Sequence, residues 1–187
     1  MRIVSSLATL VGLSVACAVA LGLAMNTING LVSPDYFEIL LGRGRPGLRT
    51  ALLHGIFRGA AHGLAFAAVA ALVIVPGTHR WVTPRLLIRS VLIGVAAAVV
   101  CVAVGAAGGF LLATCAQETY LARWPIAWRA SSVPGFAFVG GSHTGAMVGI
   151  PVAVVAAAAV SYRAAARART ETRGFAVGQV HGEATHD

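Results

Sequence analysis

Four stretches of this chain, about residues 4–25, 52–75, 86–115 and 133–162, are built almost wholly from apolar side chains. Each is about the length, roughly 20 residues, that a helix needs to cross a ~30 Å hydrocarbon core. Lipid offers no hydrogen-bond partners to the backbone, so a segment of this kind must satisfy its own N–H and C=O groups, and an α-helix does so internally. Composition closes the alternative of a soluble core: only 11% of the residues are charged, against about 25% in soluble domains. The expected fold is therefore all-α, a polytopic membrane protein with four transmembrane helices in a small bundle. The transmembrane domain covers residues 1–162, and residues 163–187 form a basic cytoplasmic tail, a short helical extension fading into disorder.

Boundaries follow from local chemistry. A signal peptide would end its apolar region after about 7–15 residues, but the first run continues past the small residues Ala16–Ala20 to Met25 and is read as an uncleaved span. Pro76-Gly77 is expected to close the second span. Thr83-Pro84 opens the third, threonine as the cap and proline in the first turn. The fourth, Val133 to Tyr162, would reach ~45 Å at 1.5 Å per residue, so it should tilt or project. Pro151 inside it removes a backbone donor, which predicts a kink near Met147–Pro151.

The net charge of +8 is carried by arginine, with no lysine in the chain. With both termini inside, eight arginines lie on the inner side (Arg2, Arg80, Arg85, Arg89, Arg163, Arg167, Arg169, Arg173) and five outside (Arg43, Arg45, Arg49, Arg123, Arg129). The excess favours cytoplasmic termini in a cell inner (plasma) membrane. The partners this implies are the lipid bilayer and anionic head groups at the basic tail. No nucleic-acid-reading motif accompanies the charge, so nucleic acid is not an expected partner.

The outer connections carry their own patterns. "SPDYFEILLG", Ser33–Gly42, reads as a short helix: Ser33 caps, Pro34 opens, Asp35 and Glu38 suit the positive end, Gly42 stops it. Tyr36 and Phe37 there, and Tyr120, Trp124 and Trp128 in "ETYLARWPIAWRA", are expected to anchor at the head-group level. Cys17, Cys101 and Cys115 match no zinc or redox spacing and read as small residues at helix contacts.

One feature resists this plain reading. In "LLHGIFRGAAHGLAF" a polar residue recurs at every fourth position, His54, Arg58 and His62, with Gly55, Gly59 and Gly63 one step behind. Counted from Thr50, Arg58 lies ~12 Å and His62 ~18 Å along the helix. An intramembrane arginine is costly unless paired or hydrated, and one of Asp35, Glu38 and Glu118 is the expected partner, Glu118 being the most helix-bound. The fourth span carries a matching "VGGSHTGAMVG", with Gly141, Gly145 and Gly149 beside Ser142, His143 and Thr144. Small residues let helix backbones approach and polar side chains then bond across the contact. The expectation is that the glycines bring the second and fourth spans together, with His62 facing His143. The order span, "SPDYF", arginine loop, glycine helix, then span, "QETYL", arginine loop, glycine helix also points to an internal repeat of helical hairpins.

The elements "SPDYF", "LLHGIFRGAAHGLAF" and "FVGGSHTGAMVG" resemble an uncharacterised family of four-span bacterial membrane proteins. Those share an S-P-[DE]-Y-F element after the first span, matched by Ser33, Pro34, Asp35, Tyr36 and Phe37, and a late V-G-G-S-x-x-G, matched by Val139, Gly140, Gly141, Ser142 and Gly145. The second half departs from the first at "AQETY", where a repeat would place Ser-Pro. The resemblance implies a location and an architecture and no activity.

No catalytic triad, nucleophile motif or metal spacing is present, so no catalytic residue, metal or cofactor is expected. The expected role is non-enzymatic, the glycine faces packing the bundle or a homo-oligomer. The alternative is a small transporter or channel-like protein using the His/Arg stripe. A wet cavity reaching the stripe from one face favours the second, and a dry centre the first. Haem held between His62 and His143 is a third reading, which an absorbance spectrum decides.

Overall fold

The computed structural model describes residues 2–41, 48–78 and 83–183, and the elements among them are all helical. In chain order they are α1 (Arg2–Val32), the short α2 (Pro34–Leu41), α3 (Leu48–Thr78), α4 (Pro84–Cys115), the short α5 (Gln117–Arg123), a 3-10 turn (Pro125–Arg129) and α6 (Val133–Glu183). Four stretches are long and apolar enough to cross a membrane: Val4–Val32, Arg49–Ile74, Pro84–Cys115 and Val133–Thr172. The all-α bundle of four spans is the observed architecture. Each half of the chain repeats the order long helix, short helix, long helix, and both short helices lie at the same end of the bundle.

Several ends differ from expectation for local reasons. α1 does not stop at Met25 but continues to Val32, because Asn26 and Asn29 are buried within the bundle instead of facing its surface. α3 runs through Pro76-Gly77 to Thr78, whose buried hydroxyl donates to the Ile74 carbonyl at 2.6 Å. Thr83 caps α4 as expected, its Oγ1 accepting from the Leu86 N–H at 3.2 Å with Pro84 in the first turn. Ser33, by contrast, does not cap α2 with its side chain. Its hydroxyl is buried and unpartnered among the described residues, and its carbonyl accepts from the Tyr36 N–H at 3.2 Å. Asp35 binds across the molecule, accepting from the Ser131 N–H at 2.8 Å and tying α2 to the entry of α6. Gly42, the expected stop, lies outside the described residues. α6 runs through Pro151 and past Tyr162 as a single helix to Glu183.

The glycine stripes pack the bundle, but not between the helices expected. Gly55, Gly59 and Gly63 of α3 face α1: a Cβ on Gly55 would lie 2.6 Å from the Gly22 carbonyl oxygen, one on Gly59 2.5 Å from that of Ala18, and one on Gly63 2.7 Å from the Val15 Cα. Gly141, Gly145 and Gly149 of α6 face α4, where Gly141 meets the Gly105 backbone, Gly145 the Cys101 carbonyl and Gly149 the Ala98 Cα. Each stripe therefore seals its own hairpin, α1 with α3 and α4 with α6. The partner helices supply glycines of their own, Gly22 on α1 and Gly105 and Gly109 on α4, which let backbone meet backbone without intervening side chains.

The two hairpins then join through side chains. Toward the Thr78/Pro84 end, Leu10, Phe66, Ile74, Val91, Val154 and Ala157 form a buried cluster drawn from all four long helices. Ser90 and Ser161 share a buried hydrogen bond of 2.8 Å there, and the Tyr162 hydroxyl donates to the Val73 carbonyl. Toward the α2/α5 end a second cluster, including Tyr120, Leu121, Ala127 and Phe136, packs α5 onto α6. Between these two fillings the hairpins do not close.

Candidate functional site

His54, Arg58 and His62 sit one turn apart on α3, beside the glycines that face α1, so their row turns toward the space between the hairpins. That space has two parts. A cleft of about 600 Å³ at the α2/α5 end is lined by Tyr36, Phe37, His54, Arg58, Tyr120 and His143, among others. Beyond it lies a smaller, partly open chamber of about 90 Å³ lined by all four long helices, where Ser14, Asn26, Arg58, His62 and His143 are the polar lining. Arg58 and His143 line both.

The cleft has an aromatic wall. The ring of Tyr36 stacks on His143 with centroids 5.5 Å apart and planes at 17°, and also meets Phe136 at 4.8 Å. Phe37 presents an edge contact to both His54 and His143, each at 6.2 Å. His54 and His143 face each other at 6.4 Å, nearly perpendicular. The ring opposite His143 is thus His54, not the expected His62, and α3 and α6 meet through histidines and not through glycines. Tyr36 and Phe37 do not serve as surface anchors: Phe37 is buried and Tyr36 half-buried against the histidines. Tyr120 is likewise buried, whereas Trp124 and Trp128 are 54% and 70% exposed.

Arg58 forms no ion pair with Glu118 among the described residues; Glu118 is exposed on α5 and does not line the cleft. Ser142 points away from the cavities into a buried contact with Asn29, whose Nδ2 donates to the serine Oγ at 3.0 Å. Thr144 lines the cleft, its hydroxyl donating to the Gly140 carbonyl at 3.0 Å. Of the seven polar residues singled out in the sequence, His54, Arg58, His62, His143 and Thr144 surround the cavities. Asn26, Asn29 and Ser14 were missed. The signal was present, since Asn26 and Asn29 are three residues apart and share a helix face, and polar residues in a span face the protein interior. Asn26 is fully buried, and both atoms of its amide, like the Ser14 hydroxyl, lack a hydrogen-bond partner among the described residues.

Burial also acts on the phenols of the wall, both of which lie outside the spans. The Tyr36 hydroxyl is pushed up to about 12, chiefly by desolvation, with Tyr120 adding and the Arg58 charge opposing. Burial raises Tyr120 as well. A raised acid group holds its proton more tightly in the folded state, so its contribution is intact below the unfolded value near 10 and is lost as pH climbs through about 12. In an absorbance titration of the phenolate, the component lost in Tyr36→Phe is expected to ionise only as pH climbs toward about 12, together with loss of helical signal. Ionisation of that component near pH 10 in the folded protein would contradict the packing described for this wall.

Among the described residues, no group of three His, Cys, Asp or Glu side chains is close enough to hold a metal ion. What the residues form is a mostly apolar, partly open cleft whose wall carries a cationic and aromatic cluster. The class is that of a multi-pass membrane protein with four apolar helices. Comparisons with protein-family models, curated proteins and solved structures return no match to the chain.

Proposed function

We propose that this chain is a small transporter or channel-like protein, and that the His/Arg stripe lines the path of its solute. One observation carries the reading: Arg58 and His143 lie in the wall of both the wide cleft and the inner chamber, so a solute entering one meets the other at these two side chains. A purely packing or assembly role accounts for the glycines, which seal the hairpins. It does not account for an arginine and three histidines around open space, because intramembrane ionisable groups are costly and mark pathways. The arginine distribution favours cytoplasmic termini in a bacterial inner membrane, which opens the cleft outward, and sets the arginines of α6 among anionic head groups. Because the glycine faces are used within the monomer, a homo-oligomer would form through the apolar outer faces. The architecture is the one implied by the resemblance of Ser33–Phe37 and Val139–Gly145 to four-span bacterial proteins.

The test is flux in reconstituted vesicles, screened over small cations, small anions and small neutral polar solutes. At least one class is expected to cross faster than in protein-free vesicles. That excess should fall at least tenfold in Arg58→Gln and in His143→Leu and persist in Thr9→Ala, a half-buried change on α1 outside both cavities. Equal rates in loaded and empty vesicles for every solute would remove the transport reading and leave the packing role.

A further inference from the structure

We infer that the inner chamber binds one small monovalent anion, for which Arg58 is the counter-charge and the Asn26 amide and Ser14 hydroxyl are hydrogen-bond donors. This rests on the reading of the stripe as a solute path and names the chemical class of the solute. Charge is the first argument. The spans Val4–Val32, Arg49–Ile74 and Pro84–Cys115 contain no Asp or Glu, and Val133–Thr172 has only Glu171, near the end remote from the cleft. Arg58 cannot be neutralised by deprotonation, since guanidinium stays charged at any ordinary pH. Arg58 is an exposed side chain that lines both cavities, and a fixed cation on such a wall draws an anion from solution.

Hydrogen bonding is the second argument and is independent of the first. Buried polar atoms are nearly always partnered in native proteins, and those that are not call for a ligand, ion or water. Asn26 at 0% exposure and Ser14 at 3% are among the residues that line the chamber, and Asn26 Nδ2 and Oδ1 and Ser14 Oγ are unpartnered among the described residues. Two of these atoms carry hydrogens to donate, and His62 and His143 in the same wall each have a ring N–H in either tautomer. The one pure acceptor, Asn26 Oδ1, suits a water carried with the anion.

Size sets the class. A chamber of about 90 Å³ holds roughly three waters at ~30 Å³ each. A halide, nitrate or formate with a water fits. The rest of the wall, with Phe66, Val91 and Ile150, is apolar and offers a cation nothing.

The experiment is thermal unfolding of the purified full chain in mild detergent, with sodium gluconate replaced stepwise by sodium chloride, nitrate or formate at constant ionic strength. A saturable rise in Tm is expected for at least one of the small anions, about 5–10 °C at one hundred times Kd. Asn26→Leu is close in shape and relieves an unpartnered amide, so it should fold and lose the rise. Arg58→Gln should lose it, and Arg58→Lys should keep part of it. No saturable rise in the wild-type chain, or a wild-type rise retained in Asn26→Leu, overturns the proposal. The flux assay separates the two readings. A rise without flux upholds the anion site as a resident structural ion and removes transport, whereas flux of neutral solutes without a rise removes the anion.

Discussion

Replacing Gly145 by leucine is expected to unfold the monomer itself and not merely to separate one copy from another. A Cβ at this position would fall on the Cys101 carbonyl and lie 2.9 Å from the Val102 Cα. These are backbone atoms, which cannot rotate aside as a side chain can. Extra methylenes in a packed core cost about 1–3 kcal/mol when neighbours can shift. Here α4 and α6 must part along a line that also holds Gly105, Gly109, Gly141 and Gly149. The loss should therefore exceed about 3 kcal/mol, a large share of the roughly 5–15 kcal/mol that holds a folded domain together. Gly59→Leu should act alike in the other hairpin, against the Ala18 carbonyl oxygen at 2.5 Å. Gly12→Ala is the contrasting case, since a Cβ there meets nothing within 4 Å and alanine is the better helix former by about 1 kcal/mol. Circular dichroism melts beside size-exclusion in mild detergent would read all three. If Gly145→Leu gave a smaller species with an unchanged melt, the glycine face would lie between copies and the hairpin packing described above would be wrong.

Why the bundle was legible and its centre was not comes down to what a sequence period encodes. Apolar length fixes a span, and four such lengths gave four helices near the expected places. Thr83-Pro84 worked as a start because capping is a contact within four residues. The glycine spacing correctly marked close approach, but a four-residue repeat says only that one face of a helix is small, not which helix lies against it. Gly22 on α1 stands alone, and Gly105 and Gly109 on α4 form a single pair at the same four-residue spacing, which does not say which helix they face. The same limit misassigned the aromatics. Tyr36, Phe37 and Tyr120 have the composition of interface anchors, yet α2 turns Tyr36 and Phe37 onto the histidines, and α5 buries Tyr120 in the cluster with Phe136. Arg58 lines both cavities, but Glu118, the partner expected for it, is exposed on α5 and lines neither.

Ser142→Ala is expected to cost more than Asn29→Leu, although the two residues share one contact. Both side chains are buried, and the pair joins α1 of one hairpin to α6 of the other. The serine has a single hydroxyl hydrogen and two acceptors in reach, the Val139 carbonyl at 2.8 Å and Asn29 Oδ1 at 3.2 Å, and the nearer one takes it. Asn29 therefore depends on Ser142 for the one acceptor its amide nitrogen reaches, while Ser142 keeps the Val139 carbonyl whatever happens at position 29. Removing the serine oxygen strands a buried donor, at about 1–3 kcal/mol. Exchanging Asn29 for a leucine of similar shape strands nothing, and the change should stay within about 0.6 kcal/mol, the mean seen for polar contacts between membrane helices. Unfolding of both single variants and the double in detergent gives the coupling directly. If Asn29→Leu proved the costlier of the two, the serine would be donating across the hairpins and the bond would run the other way. The outcome bears on the site as well. Ser142 precedes the histidine that faces His54 at 6.4 Å, so weakening its bond to α1 should loosen the seat of His143 between the cleft and the chamber. A Ser142→Ala protein that stays folded but passes its solute more slowly would show that the hairpin contact positions the histidine.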